Sequence, residues 1–383
     1  MKKYLLFTGI LLCVSIGTMA QKSRVISANN LLESENYQEA KEAIDLAVIN
    51  PKTADWPRTY LVKGLLCQVA FEAGFEKEDE KKTKLYPDQL YLAYDSYEKA
   101  LELDTKKRIH SSVETQYYEL ANSFQKLGQR HYLRREYNQA LKAFELALKV
   151  SESPLISVKI DTSLIYNTAM AAYESKSWDK AVQYLSSLDK DSYSPGTTLL
   201  LQKAYMAVGD SISGELVLND GIGKYDYNQT IVLQLVDLYV ASNRWAEAFT
   251  LMDSAILHQP DNYYFPWTRG LLYQNLEQYE LAIEDLQHAS KLAPEEVTIY
   301  YNLGICYYNM GVEIDKKALQ IRSNKEYRAT RAEAKKSFQK AVVWFEKAYE
   351  ANPGHQPTIL KLYQLYSRLD MTQKRDTMQQ FIR

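Results

Sequence analysis

Residues 267–289 read WTRGLLYQNLEQYELAIEDLQHA. Gly270 is followed by Tyr273, Tyr279, Ala282, Leu286 and Ala289, and Pro294 closes the stretch. The same intervals return elsewhere. Gly128 leads to Tyr137, Ala140, Phe144 and Ala147; Ala169 leads to Trp178, Ala181, Leu185 and Leu188; Val236 leads to Trp245, Ala248, Met252 and Ala255, with Pro260 after them. Near the start, Tyr37, Ala40, Ile44, Ala47 and Pro51 give the second half of one more unit. One such match is weak; seven or eight in register over residues 22–383 mark an internal repeat.

The spacing has a packing reason. A small residue in a first helix, A, lets a second helix, B, approach closely. Two small residues seven apart in helix B do the same toward helix A and the next unit. The aromatic at the start of helix B fills the wedge beside the turn, and proline follows helix B because it cannot continue it. The pattern resembles the tetratricopeptide repeat (TPR) family, whose period is about 34 residues. The resemblance implies an all-α chain, a right-handed α-α superhelix of about eight to nine helix pairs. Scarce glycine (14) and proline (10) in 383 residues agree with long helices. Gly214 and Gly221 stand where alanines belong, and GIGKYDYN (221–228) has the composition of a turn that bends the array. Residues 356–383 are expected to form terminal capping helices with a polar outer face.

Two insertions interrupt the register. From Gly270 to Ala282 is 12 steps, but from Gly64 to Ala93 is 29 and from Gly304 to Ala341 is 37. The first excess, about 17 residues, contains FEKEDEKKTKLYPD and reads as a flexible charged loop over 75–88. The second, about 25 residues, follows YYNLGICYYNMGVEIDKK (300–317). Gly304 holds the close-approach position of helix A. Gly311 should end that helix, yet the chain beyond it keeps helical spacing without glycine or proline. Residues 312–337 therefore read as a projecting helical hairpin turning at Ser323–Asn324. The hairpin carries eight basic residues, Lys316, Lys317, Arg322, Lys325, Arg328, Arg331, Lys335 and Lys336, against four acidic ones. It reads either as a solvated helix surface or as a basic finger for an acidic partner, phosphate-bearing lipid or glycan.

Residues 1–20 read as a secretory signal peptide. Lys2 and Lys3 precede the apolar run Leu5–Ile16, and Thr18-Met19-Ala20 offers small residues for cleavage after Ala20. Export to a periplasmic or other extracytoplasmic space is expected, with no transmembrane segment after cleavage. From Gln21 onward 44 basic residues face 48 acidic ones, a net of −4. That balance lacks the basic footprint of a nucleic-acid binder. The leader, with Gln21 behind the cleavage point, is similar to those of exported TPR proteins of Bacteroidota, a resemblance that implies envelope assembly, transport or complex organisation. In that setting Asp210-Ser211-Ile212, Asp253-Ser254-Ala255 and Asp376-Thr377-Met378 resemble that phylum's O-glycosylation motif.

No chemistry-bearing motif stands out. His110, His131, His258, His288 and His355 lack metal-ligand spacing, Gly221-Ile222-Gly223 is no phosphate loop, and no serine lies in a GxSxG elbow. Neither enzyme activity nor a cofactor or metal is expected, and Cys67 and Cys306 read as buried free thiols. The resemblance places binding on the A helices. There the packing stripe (Tyr300, Gly304, Tyr307) is flanked by a second stripe expected to face a groove: Tyr301, Ile305 and Tyr308; Tyr264, Trp267 and Leu271; Tyr166, Met170 and Tyr173. The slot where some TPR domains carry a carboxylate-gripping lysine holds Val25, Leu61, Gln125, Tyr166, Leu199, Leu233, Trp267 and Tyr301. With no lysine there, the groove suits apolar or aromatic segments of partner proteins. The alternative is a glycan or cell-wall binding module using the same aromatic groove.

Overall fold

A computed structural model describes residues 22–156 and 160–382. The expected leader therefore lies outside the described residues. Within them the chain forms nineteen helices and no strand. In chain order these are α1 (22–33), α2 (Tyr37–Val48), α3 (Pro57–Phe75), the short α4 (Glu80–Thr83), α5 (Gln89–Leu103), α6 (His110–Leu133), α7 (Tyr137–Ser151), α8 (Thr162–Glu174) and α9 (Trp178–Lys190). Then come α10 (Pro195–Ala207), α11 (Ser211–Lys224), α12 (Gln229–Ala241), α13 (Trp245–His258), α14 (Tyr264–Asn275), α15 (Tyr279–Leu292), α16 (Val297–Ala318), α17 (Asn324–Ala351), α18 (Gln356–Arg368) and α19 (Thr372–Gln379). Apart from α4 they make nine A/B pairs. The chain divides into two compact units, one ending at Tyr193 and including Ala207–Gly209, the other made of Ser194–Met206 and the chain from Asp210 on.

Seven of the A-to-B turns share one construction. Glu35, Arg135, Lys176, Gly209, Asn243, Glu277 and Asp370 have positive φ. The next N–H in each case bonds the carbonyl five residues back: Asn36 to Leu31, Glu136 to His131, Ser177 to Ala172, Asp210 to Tyr205, Arg244 to Tyr239, Gln278 to Tyr273 and Met371 to Tyr366, at 2.8–2.9 Å. This is the Schellman closure, which satisfies a carbonyl that the end of helix A leaves open. Helix B then starts two residues after the left-handed position, with an aromatic in five of the seven cases.

The pairs interlock through the small-residue register. A methyl added at Gly128 would sit 2.6 Å from Phe144 ring carbons, and one at Gly270 2.9 Å from Leu286 Cγ, each partner sixteen residues on. Gly64 meets Tyr97 at 2.6 Å and Gly304 meets Phe345 at 2.7 Å, separations of 33 and 41 residues. The excess over sixteen recovers the two insertion lengths, 17 and 25. The small residues of helix B, among them Ala140, Ala147, Ala282, Ala289, Ala341 and Ala348, are fully buried.

Three local expectations change. Gly221 and Gly223 lie inside α11, and only 225–228 form the turn that follows. A methyl at Gly221 would meet Thr198 Cγ2 at 3.0 Å, so this glycine serves helix packing. Residues 75–88 form a structured insertion: Phe75 ends α3, and α4 lies within the segment. Tyr86 is buried and donates to Asp45 Oδ1 at 2.7 Å, while Gln89 Nε2 donates to the carbonyls of Cys67 and Lys82 at 2.9 Å. Gly311 does not end α16, which continues to Ala318. Its missing side chain admits Phe338, with ring carbons 2.7 Å from an added methyl. The turn is 319–323; Ser323 caps α17 and Asn324 is its first residue.

Candidate functional site

In the first unit, Tyr166 and Met170 of α8 border a cavity of about 370 Å³. The end of α6 contributes Gln129, Tyr132 and Leu133, and α7 contributes Phe144, the ring that also covers Gly128. The lining is mainly apolar and aromatic, and Leu133 is 83% exposed. Tyr166 stacks on Tyr193 at 5.4 Å. Tyr173, one turn beyond Met170 on α8, is set edge-on against Trp178 at 5.3 Å and does not join this cavity. Burial, with Glu174 beside it, raises the Tyr173 hydroxyl above its usual range.

In the second unit the two expected clusters are built differently. Tyr264 and Trp267 join Tyr263 in an aromatic group on α14, with Tyr263–Tyr264 centroids 4.2 Å apart. The hydrogen bond with Tyr264, and then burial, push the Tyr263 hydroxyl up to about 12. The indole Nε1 of Trp267 is buried without an acceptor, while Leu271, one turn on, is half-buried. Tyr301, Ile305 and Tyr308 pack on the cluster of Phe338, Phe345, Ile359 and Leu362. Tyr301 meets Phe345 and His355 edge-on, both at 5.4 Å. Tyr308 lies against Phe338 at 5.7 Å with Lys361 Nζ 4.4 Å over its ring. These three side chains bind α16 to α17 and α18 while keeping part of their surface exposed. Of the slot residues, Val25 is fully buried, and Leu61 is buried but lines a separate concavity with Arg58, Leu65 and Arg108.

All eight basic residues of the hairpin are exposed. Asp315, 8% exposed, is bracketed by Arg331 at 2.9 Å and by Arg368 of α18. That bracket gives Arg331 an ion-pair partner and ties the base of the hairpin to the last helix pair. Among the described residues the other seven have no ion-pair partner.

Sequence reasoning missed a second concavity of about 980 Å³, walled by the 75–88 insertion. There the Arg130 guanidinium lies 3.4 Å over the Phe75 ring and donates to the Phe75 carbonyl at 2.8 Å. No motif signalled it, because Arg130 is 55 residues from Phe75. It also missed Tyr132 and Leu133 at the first cavity; an apolar pair closing a helix that should end in polar residues was the available cue. Among the described residues no three His, Cys, Asp or Glu side chains gather as a metal site. Cys67 and Cys306 are buried free thiols, and burial pushes each up to about 12. Ser211 and Thr377 of the Asp-Ser/Thr triplets are exposed, whereas Ser254 is half-buried and Asp253 is bound by Arg269 at 2.5 Å.

Helix pairs joined by a recurrent Schellman turn, with a glycine in each of four A helices set against a bulky residue of its B helix, define a helical-repeat protein. Residues 270–311 match the family model described as TPR repeat. No curated protein matches it. Among solved structures it is similar to a TPR repeats protein from Bacteroides fragilis, at 20% identity over 65% of this chain and 98% of that one, with a TM-score of 0.36. It is also similar to the human IFIT1 dimer bound to m7Gppp-AAAA (17% identity, 84% and 68% covered, TM-score 0.37). A third similarity is to MamA from Desulfovibrio magneticus (15% identity, 47% and 86% covered, TM-score 0.34). No described helix is long and apolar enough to cross a membrane.

Proposed function

We propose that this chain is an exported, non-enzymatic adaptor that binds segments of partner proteins in the cell envelope. TPR arrays are in general protein-interaction scaffolds. The observation that carries the reading is the cavity of Tyr166, Met170, Tyr132 and Leu133. Its volume lies at the low end of the roughly 300–1,000 Å³ of ligand clefts. Its apolar lining suits one large side chain of a partner segment, the arrangement from which interface hot spots are made. Export rests on the leader-like residues 1–20.

A photo-crosslinking residue at Met170 tests the binding reading in native envelopes. The expected result is a discrete set of protein adducts, lost when Tyr166→Ala is added. Absence of protein adducts together with binding of purified peptidoglycan or glycan overturns it in favour of the carbohydrate reading. For export, N-terminal sequencing of the mature protein is expected to begin at Gln21; an intact Met1 in the cytoplasmic fraction overturns it.

A further inference from the structure

We propose that the tip of the α16–α17 hairpin is a docking point for an anionic lipid surface, separate from the partner-binding cavity and independent of that reading. The argument begins at the base of the hairpin. Arg368, near the end of α18, reaches Asp315, and its guanidinium lies 4.2 Å over the Phe338 ring. Asp315 also holds Arg331. Lys316–Thr330, the segment beyond these three residues, holds five basic residues, Lys316, Lys317, Arg322, Lys325 and Arg328, and one acidic residue, Glu326. The net is +4 in fifteen residues of a chain that is −2 as a whole. All five are exposed and none has an ion-pair partner among the described residues. Just below them, Asp315 is already held by two arginines, and Glu313, four residues before Lys317, makes no ion pair with it.

Charge alone would suit any polyanion. The second observation is apolar. Leu319, at the start of the turn, is 74% exposed, and Ile321 beside it is half-exposed. Two branched aliphatic side chains at the apex, collared by lysine and arginine, match what an anionic bilayer offers: phosphates at the surface and acyl chains just below. A protruding tip touches a flat surface without asking the rest of the molecule to fit it. A duplex or an extended acidic polypeptide would need a stripe of contacts, and it would gain nothing from Leu319. A few basic residues and one or two aliphatic ones give reversible, salt-sensitive contact.

Co-sedimentation of the purified chain with vesicles tests this. One set is phosphatidylcholine alone and the other contains phosphatidylcholine and phosphatidylglycerol in equal parts. Binding is expected only to the second set and should weaken as salt is raised. Each tip lysine neutralised, Lys316→Gln or Lys317→Gln, is expected to lower partition about fivefold. Lys335→Gln, lower on the hairpin, should lower it less. Leu319→Ser is expected to weaken the binding that persists at high salt. These positions are exposed, so unchanged circular dichroism and melting confirm that the variants fold. Equal binding to both vesicle sets, unchanged binding of a Lys316→Glu/Lys317→Glu variant, or binding to polyglutamate with none to vesicles overturns the proposal.

Discussion

Residues 75–88 and 312–337 are both inserted between a helix A and its helix B, yet the first folds down onto α3 while the second runs on as two long helices. At the first, the repeat's own turn is still made. Glu78 has positive φ, and the Asp79 N–H bonds the Gly74 carbonyl at 2.9 Å. A helix B then begins as α4, two residues after the left-handed position as in the other pairs. It stops before Pro87, which has no N–H to donate and biases Tyr86 toward extended backbone. Asp88, also at positive φ, redirects the chain into α5. At the second insertion no proline or glycine follows Gly311, and no residue of 312–337 has positive φ. Nothing stops α16, and the contact that begins at Gly304–Phe345 is repeated at Gly311–Phe338, seven residues further on one helix and seven earlier on the other. One insertion is therefore a repeat turn with a folded detour; the other is a repeat pair lengthened in register. Only the second carries its charge clear of the neighbouring helices.

The sharpest way to break this comparison is to remove the two rings. Phe345 is fully buried and Phe338 nearly so. Phe345→Ala is expected to cost about 3–5 kcal/mol, read by urea unfolding of the second unit. Phe338→Ala should mainly release the hairpin, read as faster amide exchange over 312–337 with a smaller loss of global stability. Equal global losses would mean that the hairpin is part of the core and not an extension of it.

A smaller effect is expected at the glycines. Alanine at Gly304 or Gly311 gains about 1 kcal/mol of helix propensity. It also places a methyl 2.7 Å from ring carbons of Phe345 or Phe338, and overpacking of this kind costs about 1–3 kcal/mol. The rings are wedged between helices, so overpacking should win and both variants should melt lower than wild type. A raised melting temperature for Gly311→Ala alone would show that the lengthened part of the pair can yield.

The smallest effect belongs to the first insertion. Tyr86→Phe removes the hydrogen bond to Asp45, a loss of about 1 kcal/mol. The local readout is Cys67, whose backbone carbonyl is held by Gln89. With its pKa pushed up to about 12 by burial, a thiol at pH 8 is roughly one part in ten thousand thiolate. Because the shift is upward, alkylation should speed up as pH rises toward 12. Tyr86→Phe is expected to accelerate alkylation of Cys67 while leaving Cys306, in α16, as slow as before. Equal acceleration at both cysteines would mean that the insertion is not a local clamp.

The candidate surfaces were only partly legible in the sequence. Helical spacing identified the A-helix stripe carrying Tyr166, Met170, Tyr301 and Tyr308. It could not say that Tyr166 and Met170 border a cavity while Tyr301 and Tyr308 meet Phe345 and Phe338, because exposure depends on side chains brought in by other helices. The eight basic residues could be counted in advance. That Arg331 is paired while its neighbours are not depends on Asp315, which also binds Arg368, 53 residues away.

What the sequence by itself determined is the repeat: the small-to-bulky spacing of sixteen, a count of about eight to nine helix pairs and the length of each insertion. Those follow from contacts between neighbouring helices, which a local period encodes directly. What only the tertiary structure decided is the fate of the inserted residues and the faces left open. A tyrosine folded down onto Asp45 and a hairpin fixed at its base by Arg368 are settled by partners 41 and 53 residues away, and no local period records such distances.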